Sequence, residues 1–177
     1  RGDLQVKELV HELLYVALRL KAMAWLLLGR NELALQVFSN LIGRFEDRVY
    51  PRASRAHLHA QAGRYPAALE DYDVLLRQHP DEARHWFNKG YVLELLGRWD
   101  DALLAFQRAA ELSPEMDRAW YGQGLVLIRL QRFDEAIAAL RRNTELQPMS
   151  PYGWYQLARA HVDRQQPDEA LQIVRHL

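Results

Sequence analysis

The chain has 177 residues, 49% apolar and 26% charged, enough for one substantial core or for a row of small units sharing one. Its formal net charge is zero, so no strong field draws it to nucleic acid or to an anionic membrane surface. It has no cysteine, which excludes disulfides, thiolate metal sites and cysteine nucleophiles. Only Lys7, Lys21 and Lys89 among the 23 basic residues are lysine, the arginine-rich usage of a GC-rich bacterial genome.

From Asp3 to Leu28 the sequence predicts one long first helix. Its most apolar run, Val10 to Leu28, contains His11, Glu12, Arg19 and Lys21, too many polar groups for a membrane span, so no direct membrane insertion is expected. Leu9, Leu13, Leu14, Leu18, Leu20, Trp25, Leu26, Leu27 and Leu28 fall on most sides of the helix. Such a helix is expected to be buried on more than one face, either by capping its own stack or by packing on another molecule.

Beyond it the chain repeats itself. "GRYPAALEDYDVLLRQHP" begins at Gly63, "GRWDDALLAFQRAAELSP" at Gly97 and "QRFDEAIAALRRNTELQP" at Gln131, each 34 residues after the last. That period divides the chain into an extension of the first helix (1–14), a divergent first repeat (15–48), three further repeats (49–82, 83–116, 117–150) and an incomplete fifth (151–177), one continuous domain. Alanine recurs at Ala34, Ala68, Ala102, Ala136 and Ala170, and a large residue follows four positions later at Phe38, Tyr72, Phe106, Leu140 and Val174.

Each unit reads as two helices. Trp86, Gly90 and Leu93 share one helical face, and Ala102, Leu103, Phe106, Ala109 and Ala110 share another. Between them Gly97 suits the left-handed residue that ends a helix, and Asp100 and Asp101 suit the first turn of the next. Pro80, Pro114 and Pro148 close three units. Small residues at Ala56, Gly90, Gly124 and Ala158 let the paired helices approach, and Trp86, Trp120 and Trp154 fill the space beside them.

The segment "WFNKGYVLELLGRWDDALLAFQRAAELSP" (Trp86 to Pro114) resembles a tetratricopeptide repeat: a large aromatic, a small residue four on, a tight turn, alanine, a large residue, alanine and a closing proline. The resemblance covers residues 15 to 177. It implies an all-α fold, a right-handed solenoid of about five antiparallel helix pairs whose first helices line a concave groove. There are departures. Arg52 stands where the second repeat should have tryptophan, His59 where tyrosine or leucine usually packs, and Glu46 where the first repeat should close with proline. At the other end, Leu171 and Val174 lack a covering helix, so the chain is expected either to break off inside a longer solenoid or to associate with itself.

No catalytic constellation is present. The serines Ser39, Ser54, Ser113 and Ser150 lie outside any nucleophile elbow, and no glycine loop cradles phosphate. His57 and His59 stand two apart on one helix and point in different directions, and no carboxylate spacing supports them with His85 as a metal site. The expectation is a cytoplasmic, cofactor-free, non-enzymatic scaffold, with no nucleic acid among its partners because its arginines alternate with acids.

Helical phase then nominates the peptide-binding groove. Residues of the first helices that point away from the tryptophan and glycine face are Tyr50 and His57 in the second repeat, and Arg84, Phe87, Asn88 and Tyr91 in the third. Arg118, Tyr121 and Leu125 follow in the fourth, with Tyr152, Tyr155 and Arg159 in the fifth. Tyrosine and arginine dominate the list, as they dominate binding energy at interfaces. A branch of the family holds C-terminal carboxylates with a five-residue clamp. Asn88 and Arg118 match it, but Ala53, His57 and Gly122 do not, which argues against that specificity. The expected partner is a peptide segment or a helix of another protein. The alternative is that these repeats position substrate or mediate oligomerisation within a larger enzyme or assembly.

Overall fold

The computed structural model describes residues 2–175, which form ten α-helices and no strand. Arg1 and the last two residues of the fifth repeat lie outside the described residues. The helices divide into two compact units, Arg1–Arg77 and Gln78–Leu177. The first holds α1 (Gly2–Leu27), α2 (Asn31–Arg44), α3 (Val49–Gln61) and nearly all of α4 (Tyr65–Gln78). The second holds α5 (Ala83–Leu95), α6 (Trp99–Leu112), α7 (Asp117–Arg129), α8 (Phe133–Leu146), α9 (Pro151–Asp163) and α10 (Pro167–Arg175).

One turn joins every pair. The backbone turns left-handed at Gly29, Gly63, Gly97, Gln131 and Gln165, with φ of 68°, 74°, 72°, 60° and 64°. The next residue's N–H then reaches back five positions to a helical carbonyl: Arg30 to Trp25, Arg64 to His59, Arg98 to Leu93, Arg132 to Leu127 and Gln166 to His161, all at 2.8–2.9 Å. This closure satisfies carbonyls that a helix end otherwise strands. The last two turns keep the geometry although glutamine has replaced glycine. Arg98 and Arg132 add a two-pronged bond to Asp101 and Glu135 three residues on.

The links between pairs are also repeated. The indole N–H of Trp86 donates to the Pro80 carbonyl at 2.7 Å, Trp120 to Pro114 at 2.9 Å and Trp154 to Pro148 at 2.9 Å. The tryptophans therefore pack and also fasten the link that precedes their helix. In the second repeat Arg52 turns instead to Asp71, at 3.2 Å. Arg55 grips the same carboxylate with Nε at 2.8 Å and an Nη at 2.7 Å, and its other Nη donates to Ser39. Asp71 is 2% exposed. An ion cluster stands here where the third, fourth and fifth repeats use an indole.

The cores follow the alanine and large-residue series. Ala34, Ala68, Ala102 and Ala136 are fully buried, as are Phe38, Tyr72, Phe106 and Leu140. In the second unit α7 packs against α5, α6, α8 and α9. In the first, Tyr15, Ala22, Leu35, Val37, Phe38, Leu41, Phe45 and Leu58 form one cluster, edged by Leu18, Trp25, Leu26 and Tyr50.

The first helix departs from expectation. Among the described residues only one face of α1 is covered. Tyr15 and Ala22 are buried, whereas Leu9, Leu13, Leu14 and Leu20, expected to be buried, are exposed along with Val6, Val10 and Val16. The reason is the partner count: a middle first helix such as α7 meets four helices, whereas α1 packs chiefly on α2.

Candidate binding surface

In the second unit the three first helices α5, α7 and α9 lie side by side. Close packing sets their spacing. At Gly90 an added Cβ would stand 2.9 Å from the Phe106 ring, and at Gly124 it would stand 2.5 Å from Leu140 Cγ. The glycine faces are thus pressed onto the second helices, and the opposite faces, with their arginines and tyrosines, turn away. Arg84, Arg118 and Arg159 are all exposed. Arg159 has an acid near it, Asp163 on its own helix, at 3.8 Å.

The aromatic candidates separate into two groups. Tyr91, Tyr152 and Tyr155 are 50%, 72% and 62% exposed. Phe87, by contrast, is half-buried with its ring 5.7 Å from that of Phe106, and it edges the cluster of Ala109, Ala110 and Ala119. Asn88, Tyr121 and Leu125 are half-buried as well.

The two candidates in the first unit differ. Tyr50 is half-buried, set edge-on to Phe38 with ring centroids 5.9 Å apart, and the Arg19 guanidinium lies 4.3 Å over its ring. His57 is exposed. The other histidines are structural in placement. His59 is half-buried and His85 buried, each with an Nδ1 that finds no hydrogen-bond partner among the described residues, and burial lowers the pKa of both rings. Among the described residues no group of three or more His, Cys, Asp or Glu is placed to hold a metal ion, and no helix is long and apolar enough to cross a membrane.

Sequence reasoning passed over two features of the second unit. Glu94, one turn beyond Tyr91 on α5, is half-buried. Burial raises its pKa, and the field of Arg129 on α7 opposes that rise. A lone glutamate carried no signal in the sequence, since its partner is 35 residues away. The second feature is a cavity of about 490 Å³ lined by Thr144, Trp154, Leu157, His161 and Ile173 among others, between α8, α9 and α10. His161 is buried there, its Nδ1 2.9 Å from Gln166 Oε1.

The edge formed by α9 and α10 is open. The residue four after the repeat alanine is at most 2% exposed in Phe38, Tyr72, Phe106 and Leu140, but Val174 in the same place is 56% exposed. Inside the second unit, Phe106 at that position is covered by Gly122 of the following first helix. Val174 has no such helix over it among the described residues.

The tetratricopeptide repeat profile matches residues 54–117, 96–151 and 121–176. No curated protein matches the sequence. Solved structures share the fold at low identity. "Crystal structure of MamA protein" is 18% identical, with 93% of this chain and 88% of that chain covered and a TM-score of 0.85. MamA 41-end from Desulfovibrio magneticus RS-1 is 20% identical over 92% of each chain, with a TM-score of 0.85. YrrB, described as a tetratricopeptide repeat protein with an unusual peptide-binding site, is 20% identical over 86% of this chain and 78% of that chain, with a TM-score of 0.75.

Proposed function

The chain belongs to the tetratricopeptide repeat family, and from that premise we propose that it is a non-enzymatic protein-interaction scaffold whose first-helix face binds a peptide segment or partner helix. The observation that carries the reading is the exposure of Tyr91, Tyr152 and Tyr155 in register with Arg84, Arg118 and Arg159 on the adjacent helices α5, α7 and α9. Rigid amphipathic tyrosines lose little entropy on binding, and arginine forks pair with carboxylates. The surface therefore suits a segment with apolar side chains and acidic groups, gripped as grooves grip helices and extended peptides elsewhere. Phe87, Asn88, Tyr121 and Leu125 support it from half-buried positions. That YrrB has a peptide-binding site on the same fold is consistent with this use.

The test is a panel of fluorescent peptides carrying acidic and aliphatic or aromatic residues, titrated against the intact chain. Arg118→Ala and Tyr155→Ala are each expected to weaken the best binder by about tenfold with helicity unchanged. Unchanged affinity in both variants and in Arg84→Ala would move the site off this face.

The open edge at Val174 and Leu171 favours a second reading, in which these repeats are one part of a larger assembly. A further helix in the place that α7 takes over Phe106 would cover that edge. Association that Val174→Glu abolishes would support this reading, and association that it leaves intact would count against it.

A further inference from the structure

The uncovered side of α1 is a regular seam. Val6, Leu9, Leu13, Val16, Leu20, Met23 and Leu27 follow one another at alternating spacings of three and four, and all are exposed, from 41% to 88%. This is the seven-residue repeat of a coiled-coil core, sustained along about 31 Å of helix. The opposite side carries a second series, His11, Tyr15, Leu18, Ala22 and Trp25, and that one is in use. Tyr15 and Ala22 are buried, Leu18 and Trp25 edge the same cluster, and the His11 ring lies 4.4 Å from that of Phe45. One series holds α1 on its own unit. The other is presented.

We propose that the presented seam pairs with the α1 of a second copy, antiparallel about a twofold axis. The flanking charges select this occupant and this direction. Glu12 and Arg19 lie on one flank of the seam, seven residues apart. Antiparallel pairing that sets Leu13 against Val16 of the second copy brings Glu12 of each chain opposite Arg19 of the other, twice over. Parallel pairing sets Glu12 and Arg19 against Ala17 and Ala24, which offer no charge. The surface is therefore complementary to itself, the condition for a twofold interface. On the other flank Ala17 and Ala24 let the helices approach closely.

Arg48 donates to Glu12, and Arg19 rests over Tyr50, yet both side chains remain exposed. A free helix with so few heptads would be marginal, but α1 is already ordered by its packing on α2, so association need not fold it. The interface is separate from the binding surface of α5, α7 and α9, and its failure would leave that surface intact.

The experiment is the solution mass of the intact chain over a range of concentrations by light scattering. A dimer is expected, and a monomer throughout would overturn the proposal. Leu13→Glu changes an exposed side chain and should leave helicity unchanged while weakening the dimer by at least about tenfold. A dimer that survives Leu13→Glu and Leu20→Glu places the contact elsewhere and also overturns it. Glu12→Arg is expected to weaken the dimer, and Glu12→Arg with Arg19→Glu to restore it. Because the chain has no cysteine, direction can be read by oxidation. Leu13→Cys chains mixed with Val16→Cys chains should cross-link to each other, and neither should cross-link alone. Cross-linking of Leu13→Cys with itself would make the pairing parallel and refute the arrangement.

Discussion

Phe106 lies against the bare backbone of Gly122: a Cβ added there would stand 2.8 Å from the ring's Cζ. The same ring touches Gly90 on its other side, so it is held between α5 and α7 by two glycines. A middle repeat can thus bury this ring completely while its neighbours remain close enough to share a surface. Gly122→Ala is expected to cost about 1–3 kcal/mol, because the ring cannot retreat without meeting α5. Urea unfolding measures it. Pairing Gly122→Ala with Phe106→Leu should recover part of the loss, since the smaller side chain yields the space.

The two glutamines at left-handed turns invite the reverse change. A residue with a Cβ loses about 1–2 kcal/mol in that conformation, and glycine's extra chain entropy gives some of it back. Gln131→Gly and Gln165→Gly should each stabilise the fold by roughly 0.5–1 kcal/mol. Gly97→Ala, in the same turn, should destabilise it. A rise in the urea midpoint for the first two and a fall for the third is the expected pattern.

Asp71 is buried and paired with two arginines, so its removal is costly. Its carboxylate is buried between Arg52 and Arg55, and Asp71→Ala would leave two guanidiniums facing an empty, partly desolvated site. Breaking such a pair costs about 3–5 kcal/mol. Thermal unfolding should show the loss as a marked fall in Tm, larger than that of Arg52→Ala, which leaves the fork of Arg55 on Asp71 intact.

Acid should weaken the fold through His85 and His59. Both rings have their pKa lowered from 6.5 mainly by burial, so the unfolded chain takes up protons at a pH where the folded chain still resists them. Stability is then complete above about pH 6.5 and falls as the pH drops through the lower folded values. His85→Gln should flatten the dependence of the unfolding free energy on pH between neutrality and mild acid. A dependence as steep as that of the parent chain would assign it to other groups.

The repeat was legible without coordinates because its signals are local. The alanine series, the left-handed turn after each first helix and the large residue four beyond the alanine all follow from helical periodicity and backbone sterics. A period of 34 displays them together. The tryptophans were legible as packing residues. Their bond to the proline carbonyl six residues back was not, since a hydrogen bond depends on how the link folds over the helix.

The candidate surface was legible only by phase. Periodicity told which side of each first helix faces away from its partner, and Arg84, Tyr91, Arg118, Tyr152, Tyr155 and Arg159 are indeed exposed. It did not tell which of those side chains also pack: Tyr50 lies edge-on to Phe38 beneath Arg19, Phe87 lies against Phe106, and Tyr121 and Leu125 are half-buried too. The same limit applies to α1. Its sequence showed leucines on most sides and implied burial on more than one face, but burial needs neighbours, and among the described residues α1 has them on one side only. What the sequence by itself determined is the unit, because each helix pair is specified by contacts a few residues apart. What only the tertiary structure decided is which apolar and aromatic faces are covered and which are left for a partner, because that depends on elements that local periodicity does not count.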